Sequence, residues 1–223
     1  MACVAKLNGK PLVLIILFFL FIPFQLVFGD GEAKKGDVIA KKYEINIAQE
    51  SYLVINGHTN VNNFSCVYDG NFYRDTLTVK AVSQGDYMHL ENAVLKLKTK
   101  YFDCRNNMMN SDFRDLLQAD KYPNIIIHVM EINKNLQEVQ KLLVSNTNKK
   151  GVILSVKIDL AGKEKSYELP VEIKQVKDER FYIGHLDLDI RDFGLSPPKK
   201  MLGLITVNER VSIDFMVRIS LVD

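Results

Sequence analysis

Val211-Ser212-Ile213-Asp214-Phe215-Met216-Val217-Arg218-Ile219-Ser220-Leu221 is the stretch that decides the fold. Val211, Ile213, Phe215, Val217, Ile219 and Leu221 fall on one side of an extended chain. Ser212, Asp214, Arg218 and Ser220 fall on the other, with Met216 out of phase. Side chains of a strand alternate between its two faces, so this pattern describes a strand buried on one side and wet on the other. One-sided burial belongs to antiparallel sheets and barrel walls rather than to doubly covered parallel sheets.

Working outward from that strand, Val152, Leu154, Val156, Ile158 and Leu160 repeat the period. Ala161-Gly162-Lys163 turns the chain, and Tyr167, Leu169, Val171 and Ile173 bring it back as a hairpin. Pro170 has no N–H to give a ladder and predicts an edge, a bulge or an irregular ladder at that point. Further strands are expected over Phe181–Ile190, Ile125–Ile132, Leu90–Phe102, Leu77–Ser83, Phe64–Tyr68, Tyr52–Asn56 and Tyr43–Ile47. One helix is expected at Ser111–Ala119, capped by Ser111, with Phe113, Leu116 and Leu117 on one face; a second is placed at Leu136–Leu143. Asp192–Lys200, with its prolines, reads as a loop or single turn. A meander of this kind hides its edges in a closed barrel or in a two-sheet sandwich, and periodicity does not choose between them.

The remaining composition concerns compartment and partners. Of 223 residues, 29 are Lys or Arg and 27 are Asp or Glu. Lys6 and Lys10 precede any acidic residue, and residues from Asp30 onward carry equal numbers of each sign. A neutral body has no general electrostatic attraction for nucleic acid. The two lysines are followed by the apolar run Leu12–Phe28, and small Gly29 precedes Asp30. This is the order of a secretory signal over 1–29, with an uncleaved anchor as the alternative. The expected product is a soluble domain over 30–223 in the periplasm, or outside the cell if the host has none. Its two cysteines, Cys66 and Cys104, then form a disulfide or remain as two buried thiols; the bridge stabilises by roughly 4 kcal/mol on the loop-entropy argument.

Three segments, taken together, resemble the YceI-like family of secreted, lipocalin-like bacterial proteins. They are His58-Thr59-Asn60-Val61-Asn62-Asn63-Phe64; Met109–Leu117 continuing through Tyr122-Pro123-Asn124-Ile125; and Asp192-Phe193-Gly194-Leu195 followed by Val211–Leu221. The resemblance covers 42–223. It implies an all-β fold, an eight-stranded antiparallel lipocalin-like barrel with one or two short helices near its mouth. It also implies an apolar interior that carries an isoprenoid or fatty-acid-like lipid without a catalytic step. Asn133-Lys134-Asn135 is polar where the family pattern is not, which bears on the mouth.

A channel of that kind needs inward apolar side chains. The candidates are Val54 and Phe64 early in the chain, Leu95 and Leu97 next, and Ile127 and Val129 in the middle. The hairpin offers Val156, Ile158, Leu169 and Val171, and the last strand Phe215 and Val217. Phe113 and Tyr122 are placed to gate the mouth. An ordinary packed core accounts for the same residues. The other function weighed is a non-catalytic cell-envelope stress or protein-interaction module that uses the barrel as a scaffold.

His58, His89, His128 and His185 make no metal-ligand spacing, and no metal or other cofactor is expected. Asp187, Asp189 and Asp192 read as the wet side of a strand, and no nucleophile or nucleotide motif is present. The partners expected are an apolar small molecule and, transiently, a membrane, with no nucleic acid and a monomer or homodimer.

Overall fold

The structure is a computed structural model and describes residues 38–70, 77–135, 137, 139, 151–176, 179–197, 199–200 and 205–221. The expected leader at 1–29 lies outside these residues, as does nearly all of the expected helix at Leu136–Leu143.

The first strands are β1 (Val38–Ile47), β2 (Tyr52–His58), β3 (Asn63–Tyr68) and β4 (Leu77–Gln84). Then come β5 (Tyr87–Glu91), β6 (Val94–Lys98), a 3-10 turn at Thr99–Tyr101 and the two-residue β7 (Phe102–Asp103). The helix α1 (Asn107–Leu116) leads into β8 (Asn124–Asn133), β9 (Gly151–Leu160), β10 (Lys163–Val176) and β11 (Glu179–Asp189). A second 3-10 turn at Ile190–Phe193 precedes β12 (Lys199–Lys200), β13 (Ile205–Thr206) and β14 (Arg210–Leu221).

Every pairing in the main sheet is antiparallel, but the expected closed eight-stranded lipocalin-like barrel does not form. Twelve strands make one sheet, in which β1, β4, β5, β8, β9, β10, β11 and β14 form a ring. The ring is completed by three residue pairs, Ile45–Leu221, Asn46–Ser220 and Ile47–Ile219. Two strands carry a split edge. β14 gives Ser212–Met216 to β2 and its far end to β1. β8 gives Asn124–His128 to β6 and Glu131–Asn133 to β5. At the β2/β6 half, β2 continues to β3 and β7, and no ladder joins β7 to β6 among the described residues.

The physical reason lies in the breaks. The turn at Ala48–Ser51 separates β1 from β2, held by the Ala48 N–H donating to the Arg218 carbonyl and the Arg218 N–H donating to Ser51 Oγ. Asn92, at φ 65°, separates β5 from β6, so the expected run Leu90–Phe102 becomes two strands, a turn and a short third strand. The finding is an all-β ring with a seam.

α1 follows β7 and packs on Phe102 at this side of the seam. Its cap is Asn106 rather than Ser111: Asn106 Oδ1 accepts from the backbone N–H groups of Met108 and Met109 at 2.9 and 3.2 Å. The cap therefore lies five residues earlier than expected, and the run 106–110 belongs to the start of the helix. Asn110 holds the preceding segment, accepting from Cys104 N–H at 2.7 Å and donating to Asp103 at 3.0 Å. Phe113, Leu116 and Leu117 face the core, with Phe113 against Phe102 at a centroid distance of 5.1 Å. Phe102 in turn meets Tyr68 at 5.0 Å, and the Tyr68 hydroxyl accepts from Lys98 N–H across the gap. Cys66 and Cys104 form the disulfide, tying β3 to the segment before the helix.

Among the described residues, no helix is long and apolar enough to cross a membrane.

Candidate functional site

The site begins with the hairpin of β9 and β10. Ala161 and Gly162 both have positive φ, 51° and 75°, as a two-residue type I′ turn requires, and this fixes the register Leu160–Lys163. β10 pairs with β9 along ten residues, but with β11 only from Val171–Gly184 to Val176–Glu179. Pro170, without a donor, stands where that second ladder stops. Beyond it the half of β10 that holds Tyr167 and the end of β11 share no ladder. The 3-10 turn Ile190–Phe193 occupies this region, with Phe193 buried and its ring 6.5 Å from that of Tyr167.

A cleft of about 960 Å³ opens beside this turn. Its floor uses inward residues: Gly57, Phe64, Tyr167, Leu188 and Val211. Gly57 is required by close approach, since a Cβ there would lie 2.3 Å from Phe64 Cζ; only glycine lets that ring lie across β2. The rim is polar. Asn56, His58, Asn63, Ser65 and Ser212 come from the β2, β3 and β14 side, joined by Asn208 and Arg210. Asp187, Asp189 and Asp192 come from β11 and the turn after it.

Two of these carboxylates have partners. Asp189 takes Arg191 Nε at 2.9 Å, and that guanidinium holds its pKa down to about 2. Asp187 lies 3.3 Å from His185 Nε2, whose Nδ1 is 2.7 Å from Asp214. Asp214 also accepts from Asn56, and Asn56 from Ser65, both at 2.7 Å, so a chain of polar contacts crosses four strands on the outer face. The Tyr167 hydroxyl is buried without a hydrogen-bond partner among the described residues. Burial first, then the charges of Asp192 and Asp189, push its pKa up.

The His185 contacts give a pH prediction. The hydrogen bond to Asp214, and secondarily the negative charges of Asp214 and Asp187, raise the His185 pKa against the effect of burial. A raised folded pKa means the stabilisation is complete below about pH 6.5, the unfolded value, and is lost as pH rises through the folded value. Half-exposed pairs contribute little, so the wild type should lose less than about 1 kcal/mol relative to His185→Gln over that interval. Urea titrations at several pH values check this; identical pH profiles for the two proteins refute it.

The candidate lining residues separate by register. Leu97, Val156, Ile158, Leu169 and Val171 are buried in the core cluster. Phe64, Leu95, Phe113, Ile127, Val129 and Phe215 are partly buried and pack against it. Val217 pairs with Tyr182 on the inward side of β14. Tyr122 lies over the β9–β10 turn, where a Cβ on Gly162 would meet its ring. Val54 sits on the opposite face, paired with Val67 and Asp214, because Leu53 and Ile55 set the phase of β2.

Phe64 alone of these residues touches the cleft. Asp187, Asp189 and Asp192, read from the sequence as solvent-facing, stand on its rim. The one signal that pointed there was Pro170, as an irregular ladder. Among the described residues no group of His, Cys, Asp and Glu is arranged to hold a metal.

The YceI-like domain family matches residues 43–219 of the chain. Among solved structures, the fold is similar to a polyisoprenoid-binding domain from Saccharophagus degradans described as implicated in plant cell wall breakdown. The two are 13% identical over 81% of this chain and 99% of that one, with a TM-score of 0.55. BcnA from Burkholderia cenocepacia is similar at 15% identity, covering 77% of this chain and 96% of that one, with a TM-score of 0.52. At these identities the likeness is one of fold. No curated protein matches.

Proposed function

The chain belongs to the YceI-like family, a family of non-catalytic ligand-binding modules, and from that premise we propose that it carries a long apolar ligand, an isoprenoid or similar lipid, against its concave face. One observation supports this above the others. Leu154, Ile173, Tyr182, Leu186, Ile213 and Phe215 point inward by register and pack on the core, yet remain only partly buried. A solid core hides such side chains; a concave apolar wall leaves them for a ligand to cover. Each methylene buried there stabilises the complex by about 0.8 kcal/mol, so chain length sets most of the affinity.

The lining we assign comprises these residues together with those of the sequence reading that share their face. Val54 is left out for its phase. A leader over 1–29, secretion to the periplasm or beyond, and a working domain over 30–223 complete the reading. The disulfide supports an oxidising compartment. Brief contact with a membrane, where such a ligand is collected, is supported by exposed Met108 in the first turn of α1 and exposed Tyr101 in the 3-10 turn before β7, with the ammonium groups of Lys98 and Lys100 at 5.9 and 5.1 Å from the Tyr101 ring.

Native mass spectrometry of gently purified protein, followed by lipid extraction, tests the carrier. An apolar adduct, or uptake of added polyprenol, is expected. Protein that arrives empty and takes up no polyprenol sinks the proposal.

A further inference from the structure

We propose that the cleft beside the Ile190–Phe193 turn holds a hydroxyl-rich head group, a sugar or polyol carried on the apolar chain, in preference to a phosphate or a bare alcohol. The inference rests on the carrier reading and narrows its ligand.

The cleft sets aromatic surface beneath mixed polar groups. Phe64 and Tyr167 supply the rings. Above them Asn63, Asp192, Arg210 and Ser212 line the opening, their polar side-chain groups turned to the cleft, with Arg210 held through its backbone N–H to Asn208 Oδ1 at 2.8 Å. An amide and a hydroxyl both donate and accept; a carboxylate only accepts and a guanidinium only donates. Neighbouring hydroxyls on a sugar ring, each with one proton and two lone pairs, can satisfy all four at once. The C–H faces of the same ring can lie on Phe64 and Tyr167.

Charge leads to the same class. Asp189 is engaged by Arg191 and Asp187 lies beside His185, yet the lining itself holds three carboxylates and one guanidinium. A phosphate needs a surplus of donors and positive charge, and this lining has none. A bare alcohol satisfies one or two rim groups and leaves the others to water. The volume, about 960 Å³, accommodates a one- or two-ring head with the first part of its chain. Tyr167 remains a neutral phenol at the floor, since burial and the nearby Asp192 and Asp189 oppose its ionisation.

The test uses one chain length with three heads: dodecyl glucoside, dodecyl phosphate and dodecanol, titrated calorimetrically into the full chain below micelle concentrations. The glucoside should bind about tenfold more tightly than either of the others, the worth of one or two net hydrogen bonds. Asp192→Ala and Asn63→Ala should each erase most of that margin, and an unchanged denaturation midpoint reports that the variants are folded. Equal binding of the three heads, tighter binding of the phosphate, or a margin that survives both substitutions overturns the head-group assignment alone. Failure of all three to bind overturns the carrier reading, and this inference with it.

Discussion

Breaking the Cys66–Cys104 bridge should lower the unfolding free energy by about 4 kcal/mol, a large share of what holds a domain of this size folded. The cysteines are 38 positions apart, and cross-linking a loop of that length removes much of the freedom of the unfolded chain. Its placement adds to the effect. Cys66 lies on β3 and Cys104 follows β7, at the seam where, among the described residues, no strand ladder joins β7 to β6. Contacts there include the Tyr68 hydroxyl to Lys98, Asp69 N–H to the Tyr101 carbonyl, the edge-on rings of Tyr68 and Tyr101, and the packing of Phe102 between Tyr68 and Phe113. Guanidinium unfolding of the wild type and of a Cys66→Ala/Cys104→Ala protein measures the difference. Hydrogen exchange should show the extra opening concentrated in 102–117. A loss under about 1 kcal/mol, or exchange that rises evenly over the sheet, would show that the bridge does not hold the seam.

What was legible in the sequence follows from the range of the interactions concerned. Strand identity is local: the alternation of Val211–Leu221 and of the hairpin appears in β14, β9 and β10, since it needs only side-chain direction. The disulfide was one of two readings, and the fold decides for it. Closure was not legible. Whether β14 gives one edge to one neighbour or to two depends on the bend at Ala48–Ser51, which brings β1 and β2 in succession against the same strand. No periodicity encodes that. Val54 shows a smaller failure of the same kind. Leu53, Val54 and Ile55 are all apolar, so phase within β2 is undetermined until Gly57 and Phe64 meet across the β2–β3 ladder. At the helix, Ser111 has the right chemistry for a cap, but Asn106 comes first and already satisfies the free N–H groups. The cleft was the least legible part. Asp187, Asp189 and Asp192 alternate with apolar residues, as on any wet strand. Their common location depends on the ladder that stops at Pro170 and on the turn that follows Asp189.

The largest effect on binding should come from Ile213→Phe, paired with Val171→Phe as its contrast. Val171 is fully buried, paired with Val152 on one side and Gly184 on the other. A larger ring there has no room, so overpacking should cost about 1–3 kcal/mol of stability. Ile213 points inward from β14, paired with Ile55 and Leu186, and is only partly buried. Its larger replacement extends into the space we assign to the lipid. Stability should change by less than about 0.5 kcal/mol, because little of the added volume meets packed protein. The ring displaces ligand instead, and two lost methylene contacts weaken polyprenol binding by about tenfold or more. Chemical denaturation and polyprenol titration of both proteins separate the cases. Should Ile213→Phe destabilise as much as Val171→Phe while polyprenol affinity holds, the concave face is core, and the ligand lies elsewhere. With a ligand chain along that face, the two substitutions divide cleanly, one acting on the fold and the other on its cargo.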